Sequence, residues 1–464
     1  MAINKQSLLK TIYQNEADLH RQVAAHISAG ADLNVITEYS ESALRVSSNN
    51  GRFDVVKLLL DSGADISQLQ WSTTHLAVAF GSVGDLRRAV AESPAELEER
   101  DFWRRTPFLL SILRGDIDKA TALLELGADQ TAVGRCGKTI FQYAIQSDDV
   151  VMLDWLVRNG FDLASVDEFE TTPLIAASES GKTKSVRYLL EKSVDIFQRN
   201  HIPQRAIEVA SNLEIVRLLV SHGDDINDVS EEMHQAITGT GQLDGPTVSR
   251  EVYLEEKYRR FGQANPEEIS SPFWTDMIKS GVSAWRARDK YKDTAINEPV
   301  WSFQRFGRTT NILSDGRIIE IAGEHEDHYD PDFCIYNDVV VFETDKTVRV
   351  FCYPEAVFPP TDFHTATLVD GYIFIIGSLG YPESRCVGHT PVFKLDVKTM
   401  KISKVSTDGE APGWISNHKT ALCSGGLVVS GGEVWVEAES GFDLVANSCR
   451  YTLNLDSLTW TKQE

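Results

Sequence analysis

The sequence contains no uninterrupted apolar run near the roughly 18 residues that a membrane-spanning helix requires. No apolar leader opens it either. Met-Ala-Ile-Asn-Lys runs into a polar, helical pattern, so no secretory signal is expected. Cysteine pairs are missing as well: Cys136, Cys334, Cys352, Cys386, Cys423 and Cys449 are scattered, with no C-x-x-C among them. That spacing argues against a disulfide or zinc framework and for reduced thiols in a cytoplasmic setting. Positive charge is scarce, with 45 Lys and Arg against 68 Asp and Glu, for a formal charge of −23. A surface of that sign repels phosphate backbones and anionic lipid, so neither nucleic acid nor a membrane surface is expected as a partner. Basic proteins and cationic ligands stay open, and the same charge serves solubility.

Catalytic signatures are also lacking. There is no G-x-S-x-G elbow, H-E-x-x-H pair, Walker loop or dinucleotide fingerprint. Gly239-Thr240-Gly241 has no following Lys and carries nothing. The motifs imply no cofactor and give no reason to expect an enzyme.

What the first half does contain is repetition, which is read before any other signal. Gly30-Ala31-Asp32 returns as Gly63-Ala64-Asp65 and Gly127-Ala128-Asp129, with looser copies at Gly160-Phe161-Asp162, Ser193-Val194-Asp195 and Gly223-Asp224-Asp225. The intervals are 33, 64, 33, 33 and 30 residues, the long one being two repeats. Each tripeptide follows an apolar run at helical spacing, such as Val55, Val56, Leu58, Leu59 and Leu60. A glycine there supplies the left-handed residue that ends a helix. About twelve residues on come helix-starting Ser or Thr residues, clearest at Thr106-Pro107 and Thr172-Pro173, with Thr139 and Ser42 as looser versions.

This pattern resembles the ankyrin repeat and covers residues 1–240. The resemblance implies a β-turn finger, two antiparallel helices and a loop per repeat, stacked into an α-solenoid. One repeat departs, with Pro94-Ala95-Glu96 in place of the glycine tripeptide, and the short last interval suits a degenerate end repeat. A solenoid offers a concave surface for protein recognition. Tyr39, Trp103 and Phe169 each lie three residues before a capping Ser or Thr, and Trp71 precedes Ser72. With Arg104, Arg105 and Arg135 nearby, these are the residue types that dominate binding hot spots, and they form the candidate partner-binding set. Support of a neighbouring finger is the alternative role for the same rings.

Residues 241–298 form a connecting segment. Helix-start signals at Asn265-Pro266 and Ser271-Pro272, with Tyr253, Phe261, Trp274, Trp285 and Tyr291, predict helices packed on a flanking domain. Met233–Ile237, just before it, reads as the start of a last, capping repeat. Arg259, Arg260, Arg286, Arg288 and Lys290 make the segment locally basic; a solvated helix face is the expected role, with docking onto acidic neighbours as the alternative.

From residue 299 the period becomes strand-like. Three units of four strands are expected: 309–313, 317–322, 338–343 and 347–353; 364–369, 372–377, 391–395 and 401–406; 419–423, 427–430, 450–455 and 458–461. Asp315-Gly316, Asp370-Gly371 and Gly425-Gly426 are hairpin turns between the first two strands of each. The units resemble kelch repeats, with Gly431-Gly432 and Trp460 the best match. Three antiparallel blades make a partial propeller, since a closed ring typically takes four to eight. Either the middle segment covers the open side or two chains pair through the blades. The acidic run 324–332 places His325, His328, Asp330 and Asp332 together as candidate ligands for a divalent ion. Its lack of fixed spacing favours a solvated loop, so no metal is expected. His364 and His418 sit at equivalent first-strand positions, which points to a shared structural hydrogen bond.

The fold class is therefore multidomain α plus β: ankyrin solenoid, helical connector (241–298) and kelch-like blades (299–464). The functional expectation is a cytoplasmic scaffold or adaptor that binds a protein through the ankyrin concave face. The alternative is an enzyme, or a sugar- or metal-binding protein, with its site in the blade loops.

Overall fold

The structure, a computed structural model, describes residues 7–295, 297–325, 330–438 and 441–463. Its chain divides into two compact units, Met1–Ser230 and Glu231–Glu464. No helix among the described residues is long and apolar enough to cross a membrane.

The first unit is a row of helix pairs: Ser7–Gln14 with Leu19–Ser28, Ala43–Asn49 with Phe53–Asp61, Thr73–Phe80 with Val83–Glu92, Pro107–Arg114 with Ile117–Glu125, Ile140–Gln146 with Val150–Arg158, and Pro173–Glu179 with Thr183–Glu191. Leu213–Ser221 follows, preceded by turns where a first helix would stand. Side-chain oxygens of Ser42, Thr106, Thr139 and Thr172 each accept the N–H three residues on, satisfying a donor that the first helical turn leaves free. The helices stop at glycines with positive φ, +96° at Gly63 and +91° at Gly127. A Cβ at either would meet open space, so backbone conformation and not crowding demands the glycine. Val55, Val56 and Leu59 point inward and are fully buried, each contributing about 1.5–3 kcal/mol through lost apolar surface. In the divergent repeat a 3-10 turn, Pro94–Glu98, replaces the glycine turn, and Glu96 accepts two bonds from Thr74.

In the second unit the twelve expected strands lie where their alternation puts them, their ends shifted by at most two residues. Four of them form an antiparallel sheet: Thr309–Ile312, Ile318–Ile321, Val339–Phe342 and Val348–Cys352. A second sheet joins Thr365–Val369, Tyr372–Ile376, Val392–Asp396 and Ile402–Lys404. The third joins Lys419–Cys423, Gly426–Ser430, Arg450–Asn454 and Thr459–Gln463. Apolar side chains lock the first sheet to the second through Ile319, Val341, Phe358 and Phe393, and the second to the third through Ile376, Val429 and Trp460. A smaller antiparallel sheet joins Trp414–Ser416, Glu433–Ala438 and Gly441–Ala446, and among the described residues no sheet closes into a barrel.

The connecting segment belongs to this unit. Glu267–Ile269 adds a fifth strand to the first sheet, beside Val348–Cys352. Helices Pro272–Ser280 and Ala284–Tyr291 place Phe273, Trp274, Met277 and Ala287 in one core with Val340 and Val350 of the sheet and with Trp301, which precedes its first strand in the chain. Two sequence readings change here. Glu231–Thr238 packs with the sheets and is not a capping repeat: His234 bonds to the buried carboxylate of Glu320, which also faces Arg308 at 3.5 Å. Nor is the basic segment simply a solvated face. Arg288 reaches Asp332 at 2.9 Å, and Arg259 donates to the Ile335 carbonyl, so both dock onto the sheet unit; Arg260 and Arg286 stay exposed.

Candidate partner-binding groove

Three fingers of the first unit are pinned by a side chain at their base. Asp101 Oδ1 accepts the N–H groups of Trp103 and Arg105 at 2.9 and 2.8 Å. Asp167 does the same for Phe169 and Thr171, and Asn200 for Ile202 and Gln204, at the same spacing. Backbone bonds then tie finger to finger, Arg135 N–H to the Trp103 carbonyl and His201 N–H to the Phe169 carbonyl, both at 3.0 Å. The fingers are thus a rigid rail.

Between that rail and helices Ile140–Gln146 and Pro173–Glu179 lies a groove of about 890 Å³. Phe169, Ile202, Ile145, Ala176 and Val209 make its apolar lining. Arg135, Lys138, Lys182 and His201 supply cationic or titratable groups, against Asp167 and Glu179. Phe169 is 44% exposed and Ile202 58%, so the groove presents two large apolar side chains to solvent. Lys138 is half-buried, with its ammonium donating to Gln146 Oε1 at 2.8 Å and 4.7 Å from the Tyr143 ring centre. Burial, with the nearby Arg105 charge, pushes that ammonium down to about 8.

The sequence-selected residues fall into three groups. Arg135 and Phe169 line the groove, and Tyr39, 77% exposed, stands free on the first finger. Arg104 is exposed at a finger tip with φ +59°. Trp71 and Trp103 are half-buried supports: Trp71 stacks on Phe53 and donates to Asp101, while Trp103 donates to the Arg45 carbonyl at 3.0 Å with the Arg135 guanidinium over its ring. Arg105 leaves the set. It is 0% exposed, and Asp101 and Ser48 take up its guanidinium, so it holds repeats together and does not face a partner. Lys138, His201 and Ile202 were not singled out by sequence. Aligning the 33-residue repeats puts Lys138 where Arg105 stands one repeat earlier, which is the signal that could have found it.

The acidic run of the second unit does not assemble a metal centre among the described residues. His325 is 3% exposed and shares a 2.6 Å hydrogen bond with Tyr336, and burial pushes its imidazole down to about 4. Asp332 is bound to Arg288. Asp330 is half-buried, and His328 lies outside the described residues. The repeat-matched histidines bond alike, His364 to Thr309 at 2.8 Å and His418 to Thr365 at 2.9 Å.

Residues 151–230 match a family model described as ankyrin repeats (3 copies). Human inversin is 27% identical over 175 residues, which is 36% of this chain and 16% of that protein. The transient receptor potential cation channel subfamily A member 1 homolog of Caenorhabditis elegans is 25% identical over 181 residues, covering 38% and 15%. Human neurogenic locus notch homolog protein 1 is 26% identical over 250 residues, covering 52% and 10%. The chain thus spans about one-sixth of the length of the first of these relatives. Among solved structures, the ankyrin repeat domain of Bcl-3 aligns with a TM-score of 0.30 and 24% identity, over 46% of this chain and 96% of that one. Ankyrin repeats are thus what the family model finds in residues 151–230, the C-terminal part of the helical unit.

Proposed function

We propose that the chain is a cytoplasmic adaptor that grips a protein partner in the ankyrin groove. One observation carries the reading: Phe169 and Ile202 stand exposed over a groove whose fingers are held rigid by side-chain and backbone bonds. A preorganised rail with open apolar anchors loses little entropy when a partner binds. Ankyrin repeats as a class serve protein–protein interaction, which fits that geometry. Tyr39, Arg104, Arg135 and Phe169 are the contact residues in this reading, with Trp71 and Trp103 acting behind them.

The three sheets built on the expected sets of four strands are read as kelch-like blades of an incomplete propeller over residues 299–464, with residues 241–298 as the segment that covers its first face. Four-strand connectivity and the equivalent His364 and His418 bonds support this. The blades supply a second contact surface or pair with a second copy of the chain.

The test is affinity capture with the full chain beside a Phe169→Asp, Ile202→Asp variant whose circular dichroism matches wild type. A partner kept by wild type and lost by the variant supports the groove. Capture that the variant retains moves binding elsewhere, and no specific capture by either defeats the adaptor reading.

A further inference from the structure

Two repeats of the solenoid differ by one missing charge. Thirty-three residues after Arg105 comes Lys138, and thirty-three after Asp101 comes Gly134. Arg105 therefore has a carboxylate at the base of its own finger, and Lys138 has none. The space is already taken: a Cβ on Gly134 would lie 1.9 Å from the Tyr143 hydroxyl oxygen, so the fold has no room for an internal acid there. Asp167, on the next finger, is the acid whose field reaches Lys138, but its two oxygens accept from Phe169, Thr171 and Gln142. No carboxylate forms an ion pair with Lys138 among the described residues. Arg135, exposed beside it, extends the positive wall. In a chain of net charge −23 this is a local reversal of sign, and it adjoins the apolar pair Phe169 and Ile202.

We propose that the groove takes an extended acidic segment of the partner, with an Asp or Glu seated against Lys138 and Arg135 and an apolar side chain against Phe169 and Ile202. This rests on the groove reading above and adds the chemistry of the occupant. The partner's carboxylate fills the electrostatic role that Asp101 plays for Arg105, and charge-assisted bonds to a half-buried lysine are stronger than those at an open surface. A basic segment, by contrast, would bring like charge against Lys138 and is excluded from that end of the groove.

The experiment is selection of displayed random octapeptides on the full chain, followed by synthesis of the enriched sequences. Enriched peptides are expected to carry Asp or Glu a few residues from Leu, Ile or Phe. Replacing that acid by its amide should weaken binding to wild type by about tenfold or more. Lys138→Met should do the same, and Lys138→Arg should restore most of the affinity. The amide peptide is measured on wild type and does not depend on a variant folding. Groove-binding peptides that Phe169→Asp abolishes, but that show no need for an acid, overturn this proposal and leave the adaptor reading standing. If no peptide depends on Phe169, both fall.

Discussion

Arg105 lies 2.6 Å from Asp101, with both side chains closed to solvent, and its guanidinium also donates to the carbonyl and hydroxyl of Ser48. The ion pair lies within one finger, and the two Ser48 bonds tie it to another repeat. Removing one partner of such a pair strands a buried charge, which costs about 3–5 kcal/mol. Arg105→Ala is therefore expected to lower the unfolding free energy in urea by that amount. With Asp101→Ala the two losses should add to less than their sum. A loss under about 1 kcal/mol, within the range of surface pairs, would mean that the arginine is not held as described.

The second unit should be acid-sensitive well above the carboxylate range. Burial pushes the imidazoles of His364 and His418 down to about 3. In the unfolded chain they take up protons near pH 6.5, so their contribution to stability is complete above that pH and declines below it. Each histidine then costs about 2 kcal/mol by pH 5. Calorimetry should show the melting midpoint of the second unit falling between pH 7 and 5. His364→Gln with His418→Gln should flatten that slope, and a wild-type midpoint that does not move would sink the argument.

Trp274 stacks on Trp301 with ring centres 4.6 Å apart and an interplanar angle of 5°. That stack sits in the core that the connecting segment shares with the first sheet, and Trp274 also donates to the Glu256 carbonyl at 2.8 Å. Trp274→Ala is expected to cost about 3–5 kcal/mol. Hydrogen exchange should quicken in Glu267–Ile269 as well as in the helix, because both lean on the same core. Exchange confined to the helix would show that the strand is held independently.

Two glycines with positive φ should respond differently to alanine. At Gly63 the added methyl meets open space, so the cost is backbone strain alone, about 1–2 kcal/mol. At Gly377, just past strand Tyr372–Ile376, the methyl would lie 2.3 Å from the carbonyl oxygen of Ile415 in strand Trp414–Ser416. Gly377→Ala should lose clearly more stability than Gly63→Ala in chemical denaturation. Equal losses would mean that the sheets give way there without cost.

The repeats and the strands were legible because their causes are local. A left-handed glycine, a capping Thr and a hairpin Asp-Gly each impose a conformation within a few residues, and periodic apolar positions say which side faces in. Sequence therefore determined the helix pairs and the three sets of four strands. What tertiary structure decided is which of several similar side chains is spent and which is free. Arg105 and Arg135 look alike in sequence, but the first meets Ser48, 57 positions away, and vanishes into the stack. Helix Glu231–Thr238 has the composition of one more repeat, yet His234 finds Glu320 across 86 positions and commits the helix to the sheets. Lys138 stands apart because Gly134 and Tyr143 leave its charge without an internal carboxylate, Gln146 being its hydrogen-bond acceptor. Such outcomes depend on distances between residues far apart in the chain, and periodicity carries no information about them.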